Sequence, residues 1–177
     1  MTNIVNLITF SRILLAPIIL AFLMLDNFLI CLLLFIVAGI SDYFDGYLAR
    51  RYNAVSQLGE ILDPIADKIL VIFILFGLSV HLHSYLIAFL GSIILTREIG
   101  VVALRDYSSR NNISNKMKVT FLAKTKTAIQ MQTLITYLLA LTLKLNLLLI
   151  LSDILLIIAT LITLYTGYEY AENVFKK

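Results

Sequence analysis

What this chain can fold into is limited most sharply by its apolar runs. Residues 7–25, 28–49, 61–80, 85–104, 127–143 and 147–168 are each almost continuously hydrophobic. A helix that crosses a bilayer needs about 20 such residues, so six spans with short links nearly use up the 177 residues. The runs are long and lack strand-like alternation, which favours helices over a barrel. The breaks are thin: Asp26-Asn27, residues 81–84 and residues 144–146. The chain is 60% hydrophobic and 14% charged, against about 45–50% and 25% in soluble domains. So high an apolar content also excludes disorder. The single cysteine, Cys31, excludes an internal disulfide and a zinc site built on several thiolates. The expected fold is all-α: an integral membrane bundle of about six transmembrane helices, formed as one domain over residues 1–177.

The two remaining links are different in kind. Residues 50–60 (RRYNAVSQLGE) and 106–123 (DYSSRNNISNKMKVTFLA) are polar. Arg50, Arg51, Arg105, Arg110, Lys116, Lys118, Lys124 and Lys126 lie in or beside them, and Lys176 and Lys177 close the chain. Among the other three links only Lys144 is basic. Lysine and arginine mark cytoplasmic segments, so both polar links and both termini are expected in the cytoplasm. The net charge of +3 is first a topology signal and only secondarily an attraction to anionic membrane lipids. Nucleic acid is not an expected partner. The opening residues MTNIVNLITFSR have no basic n-region and are not Arg- and Ser-rich, so neither a cleavable signal nor a transit peptide is expected. That points to the plasma (inner) membrane of a bacterium.

In a membrane chain, function concentrates where ionisable groups fall within or at the mouths of helices. Asp42 and Asp45 end the second run, and Asp63 and Asp67 open the third. Residues three or four apart share a helix face, so each pair makes an acidic stripe. The short link sets the two stripes on neighbouring antiparallel helices. Four carboxylates in one partly dry site repel and lose hydration. Either some are protonated or cations neutralise them. An oxygen-only set without His or Cys selects Mg²⁺, Mn²⁺ or Ca²⁺. Two divalent ions would balance four carboxylates, and a metal pair is the usual clamp for transfer at phosphorus. Helix capping is the competing reading. It stays open for Asp63, because Asp is favoured at N-caps; for Asp42 and Asp45, in a C-terminal half, the helix dipole opposes it.

Written out, the segment is Asp42-x2-Asp45-Gly46-x2-Ala49-Arg50-x8-Gly59-x3-Asp63-x3-Asp67. Eight fixed positions at roughly 5% usage each would coincide by chance about once in 10¹⁰ starting points. In this pattern the chain resembles the CDP-alcohol phosphatidyltransferase family. Further blocks resemble the bacterial branch that makes phosphatidylglycerophosphate. They are Asn6-Leu7-Ile8-Thr9-Phe10-Ser11-Arg12 with Pro17, Asp63-Pro64-Ile65-Ala66-Asp67-Lys68, Thr96-Arg97-Glu98, Ala103-Leu104-Arg105 and Lys124-Thr125-Lys126-Thr127-Ala128. From roughly Leu134 onward the chain reads as apolar filler.

The resemblance implies six transmembrane helices, a homodimer and a polar cavity open to the cytoplasmic leaflet. It implies transfer of a phosphatidyl group from CDP-diacylglycerol to an alcohol, with release of CMP. Asp42, Asp45, Asp63 and Asp67 would be the ligands of Mg²⁺ or Mn²⁺, two ions in all, and Asp67 would also be the catalytic general base. Gly46, Ala49, Arg50 and Gly59 would contact CDP-diacylglycerol. Glycine permits close approach of a ligand, and arginine offers a planar fork to phosphate oxygens.

The acceptor site is read from the basic residues. Arg97 falls inside the fourth run, and Arg105 lies about two turns on and nearly on one face. A buried arginine needs an anionic partner; the adjacent Glu98 points about 100° away and is expected to be a poor one. A phosphorylated acceptor such as sn-glycerol 3-phosphate would satisfy Arg97, Arg105 and Lys124 or Lys126 together. Positive-inside decoration stays open for the two lysines and is the reading taken for Arg110, Lys116 and Lys118. Serine, inositol phosphate or phosphatidylglycerol are the alternative acceptors within the family. A cation transporter is the alternative outside it, disfavoured because its carboxylates should lie near the midplane. Cys31 is read as packing, His81 and His83 as solvated in an external turn, and Tyr85 and Tyr168 as interfacial.

Overall fold

The computed structural model describes the backbone of residues 2–51, 57–110 and 121–175, and the side chains of residues 10–41, 62, 65–110 and 125–175. The described chain is all-α, as expected, with no strand among the described residues. It forms α1 (Thr2–Met24), α2 (Phe28–Arg51), α3 (Gln57–His81), α4 (Tyr85–Arg110), α5 (Phe121–Leu143) and α6 (Asn146–Phe175). The helices run from 23 to 30 residues, about 35–45 Å at the helical rise. Among the described residues, α4 and α6 carry apolar windows long enough to cross a membrane, and Phe10–Met24 and Phe28–Ser41 are shorter apolar segments.

Three tight turns set the hairpins. Asp26, His83 and Lys144 each adopt a left-handed backbone, with φ of 60°, 48° and 54°. In each case the next amide reaches back to the carbonyl five residues before it: Asn27 to Phe22, Ser84 to Ser79 and Leu145 to Ala140, all at 3.0 Å. These are Schellman caps, which satisfy the last carbonyls of α1, α3 and α5. Ser84 then caps α4, its Oγ accepting from the Ile87 amide at 3.3 Å. The first two turns are also tied to each other. His81 Nδ1 lies 3.3 Å from Asp26 Oδ1, and its ring meets Phe28 edge-on at 5.0 Å. His81 is therefore a cross-link rather than a solvated turn residue.

α1 packs on α2 and α3, α4 on α3 and α6, and α5 on α2 and α6. One core runs through all six helices, with Ile19, Cys31, Phe35, Leu70, Ile74, Ile94, Leu138 and Leu156 among its members. The outer surface is apolar too: Leu14, Leu33, Val37, Phe89, Ile99, Leu147 and Leu161 all stand exposed. A surface of this kind belongs to a membrane-type protein, since water tolerates only small apolar patches. The α5–α6 region is not filler. Thr133, Thr136, Ser152, Thr160 and Thr163 are buried there, and Tyr137 Oη donates to Asp153 Oδ1 at 2.5 Å. Small polar residues let helices approach closely in lipid and bond across the contact.

The helix ends correct one expectation. α2 continues to Arg51 and α3 begins at Gln57, so most of the polar link 50–60 is helical. Asp42, Asp45, Asp63 and Asp67 therefore lie more than a turn inside their helices. Asp63 is too far from the start of α3 to be its N-cap, and the capping alternative falls away.

Candidate functional site

Asp67 is the member of the acidic set whose side chain is described. Arg12 of α1, with 1% of its side chain exposed, donates Nη1 to Asp67 Oδ1 at 2.7 Å, and Asp67 remains 34% exposed. A guanidinium that deep in an apolar bundle is tolerable only beside an anion, and the α1–α3 contact supplies one. Asp67 also borders a cavity of about 650 Å³ between α2, α3 and α5. Its other walls include Phe35, Ala38, Gly39, Leu70, Thr127, Ala128 and Met131, an apolar trough with a carboxylate on its border. The side chains of Asp42, Asp45 and Asp63, and of Gly46, Ala49, Arg50 and Gly59, lie outside the described residues. Asp67 offers partly exposed carboxylate oxygen, the donor chemistry that Mg²⁺ or Mn²⁺ takes.

A second cluster gathers on Glu98 of α4. Arg97 Nη1 donates to Glu98 Oε1 at 3.0 Å, and Lys126 Nζ of α5 donates to the same oxygen. Lys68 Nζ of α3 lies 3.8 Å from Oε2. Glu98 is only 13% exposed. The expectation that Glu98 would be a poor partner for Arg97 is thus wrong. A helical wheel treats side chains as radial spokes, whereas the long arginine chain folds round the helix to reach its neighbour. Arg97 is held from a second side by α6, where Nη2 donates to Thr166 Oγ1 at 2.7 Å. Its Nε has no hydrogen-bond partner among the described residues. Gly167 makes the room: a Cβ there would stand 2.9 Å from Arg97 Cγ and 3.0 Å from Nε.

The predicted acceptor residues divide accordingly. Arg97 and Lys126 meet in the Glu98 cluster. Arg105, exposed two turns further along α4, donates Nε to Tyr170 Oη at 3.3 Å and stacks 5.3 Å from that ring. The Lys124 side chain lies outside the described residues. The residues that sequence reasoning left without a role are Arg12, Lys68, Glu98, Thr166 and Gly167. A charge inside an apolar run was a usable signal for Glu98. Gly167 gives none, since its reason lies on another helix.

The chain matches the CDP-alcohol phosphatidyltransferase family over residues 2–165. It belongs to that family. A member from Rickettsia typhi is 38% identical over 177 residues, covering 96% of both chains. One from Blochmanniella floridana is 44% identical across 62% of this chain and 58% of its own length. One from Sodalis glossinidius is 37% identical across 62% of this chain and 60% of its own. The similarity thus spans somewhat under two thirds of the length of these last two relatives. All three are named CDP-diacylglycerol–glycerol-3-phosphate 3-phosphatidyltransferase.

Proposed function

We propose that the chain transfers the phosphatidyl group of CDP-diacylglycerol to sn-glycerol 3-phosphate, giving phosphatidylglycerophosphate and CMP. The observation that carries this reading is the adjacency of Asp67 and Lys68 on α3. Asp67 borders the apolar cavity, while Lys68 faces the Glu98 cluster. Neighbouring residues can thus serve the two ends of one small acceptor, its hydroxyl and its phosphate.

In this reading the diacylglycerol part of the donor lies along the trough between α2 and α5. Asp67, fixed by Arg12, takes the proton of the acceptor hydroxyl as that oxygen bonds to the β-phosphorus. The bond from the β-phosphorus to the bridging oxygen breaks, and CMP leaves with that oxygen. Arg97 and Lys126, with Arg105 and Lys124, hold the acceptor phosphate. Gly46, Ala49, Gly59 and Arg50 take the cytidine diphosphate. Asp42, Asp45, Asp63 and Asp67 would hold two Mg²⁺ or Mn²⁺ ions, which when bound neutralise charge on the diphosphate. We read the bundle as one domain with six spans, both termini and the site facing the cytoplasm of a bacterial inner membrane, and the protein as a homodimer.

The test is CMP release by purified protein in detergent micelles containing CDP-diacylglycerol and Mg²⁺. sn-Glycerol 3-phosphate, serine, inositol and inositol phosphate are offered separately. Release that needs glycerol 3-phosphate and stops with EDTA is the expected result; release with another acceptor moves the chain to a sister branch. Asp67→Asn should lower turnover by about 100-fold or more, the contribution of a general base. Substantial turnover in a folded variant would remove Asp67 from that role.

A further inference from the structure

Glu98 is a carboxylate on which three cations from three helices converge: Lys68, Arg97 and Lys126. The cluster is mostly out of water, with Glu98 13% exposed and Lys68, its most open member, 25%. Arg97 and Lys126 have side chains 9% and 8% exposed, and a buried like-charged group of this kind is costly without an anion among its members. One carboxylate leaves the four groups with a surplus of two positive charges, the charge that a phosphate monoester dianion cancels. A neutral or zwitterionic alcohol would leave that surplus in place. The arrangement on α6 fits the same purpose, because Thr166 and Gly167 fix Arg97 from the side away from Glu98.

We infer that Glu98 is a positioning and specificity-determining residue for a phosphorylated acceptor. It occupies the cations when the site is vacant, holds them in register, and yields their hydrogen bonds to the incoming phosphate. It touches no reacting atom. The inference rests on the acceptor site proposed above and deepens it. It has a consequence that a purely structural salt bridge does not share: the carboxylate and the phosphate compete for the same donors. Removing the carboxylate should therefore tighten phosphate binding, while loosening the geometry that turnover needs.

The experiment compares wild type, Glu98→Gln and Glu98→Asp in detergent micelles. Binding of inorganic phosphate is measured by calorimetry, and KM and kcat for sn-glycerol 3-phosphate by CMP release. Glu98→Gln should bind phosphate about tenfold more tightly, one charge-assisted hydrogen bond no longer being surrendered. Its KM should fall and its kcat fall with it. Glu98→Asp keeps the charge but withdraws it by one methylene, so an intermediate tightening of about two- to threefold is expected on the same argument. If the glutamine variant does not fold, the aspartate variant decides alone. Weaker or unchanged phosphate binding in whichever variant folds would overturn the inference and leave Glu98 a structural counter-ion. Competition by phosphatidic acid in the same micelles, without competition by sn-glycerol 3-phosphate, would also overturn it, because the cluster would then serve a lipid phosphate. Phosphate binding needs no turnover. Failure of wild type to release CMP with glycerol 3-phosphate would therefore count against the proposed reaction without deciding the role of Glu98.

Discussion

Gly167 illustrates how one residue can matter through what it leaves out. Arg97 is pinned at both ends of its guanidinium, by Glu98 and by Thr166, so it cannot swing aside from a new methyl group. A Cβ at position 167 would meet it near the base of its side chain, at 2.9 Å. Gly167→Ala should therefore push Arg97 out of register and raise KM for sn-glycerol 3-phosphate about tenfold, the cost of one hydrogen bond to a charged group. Thermal stability should fall as well, because Arg97 then gives up buried charge-assisted hydrogen bonds; a thiol-reactive dye can follow this because the sole cysteine, Cys31, is fully buried. An unchanged KM would take Arg97 out of the acceptor site. The sequence made Arg97 legible, since a charge in an apolar run needs a reason. Glu98 was misjudged by the geometry of the helical wheel. Gly167 could not be read at all, because what it accommodates sits far away along the chain.

At the scale of elements, the six helices were legible from the apolar runs, but their ends were not. Polar residues 50–60 read as a loop, yet α2 and α3 extend into them, because helical hydrogen bonding does not stop where hydrophobicity does. The caps were hidden for another reason. Left-handed caps are usually glycine, whereas this chain places Asp26, His83 and Lys144 there. An L-residue in that conformation costs about 1 kcal/mol or more. Lys144→Gly should relieve it and raise Tm by about 2–4 °C for a chain of this size, read by the same Cys31 dye. Asp26→Gly should gain less, because it also gives up the contact with His81. A fall in Tm for Lys144→Gly would mean that the lysine side chain stabilises the α5–α6 turn by more than its backbone costs.

Across the whole molecule, the apolar outer surface and the distribution of basic residues together define an orientation that can be measured. α4, like α6, is long and apolar enough to span, so its two ends should lie on opposite sides of the bilayer. Tyr85, at the start of α4, is 92% exposed, and Ser109, near its end, is also exposed. Cys31 is buried, its Sγ donating to the Ile19 carbonyl at 3.4 Å, and should stay silent towards a bulky reagent. Single Tyr85→Cys and Ser109→Cys variants, expressed in bacterial spheroplasts, can then be treated with a membrane-impermeant maleimide. Tyr85→Cys should label in intact cells and Ser109→Cys only after lysis, if Arg105 and Arg110 set the orientation as lysine and arginine generally do. The reverse pattern would invert the bundle and turn the Glu98 cluster away from cytoplasmic phosphate esters. Labelling of both from one side would mean that α4 does not cross, and the six-span reading would fail with it.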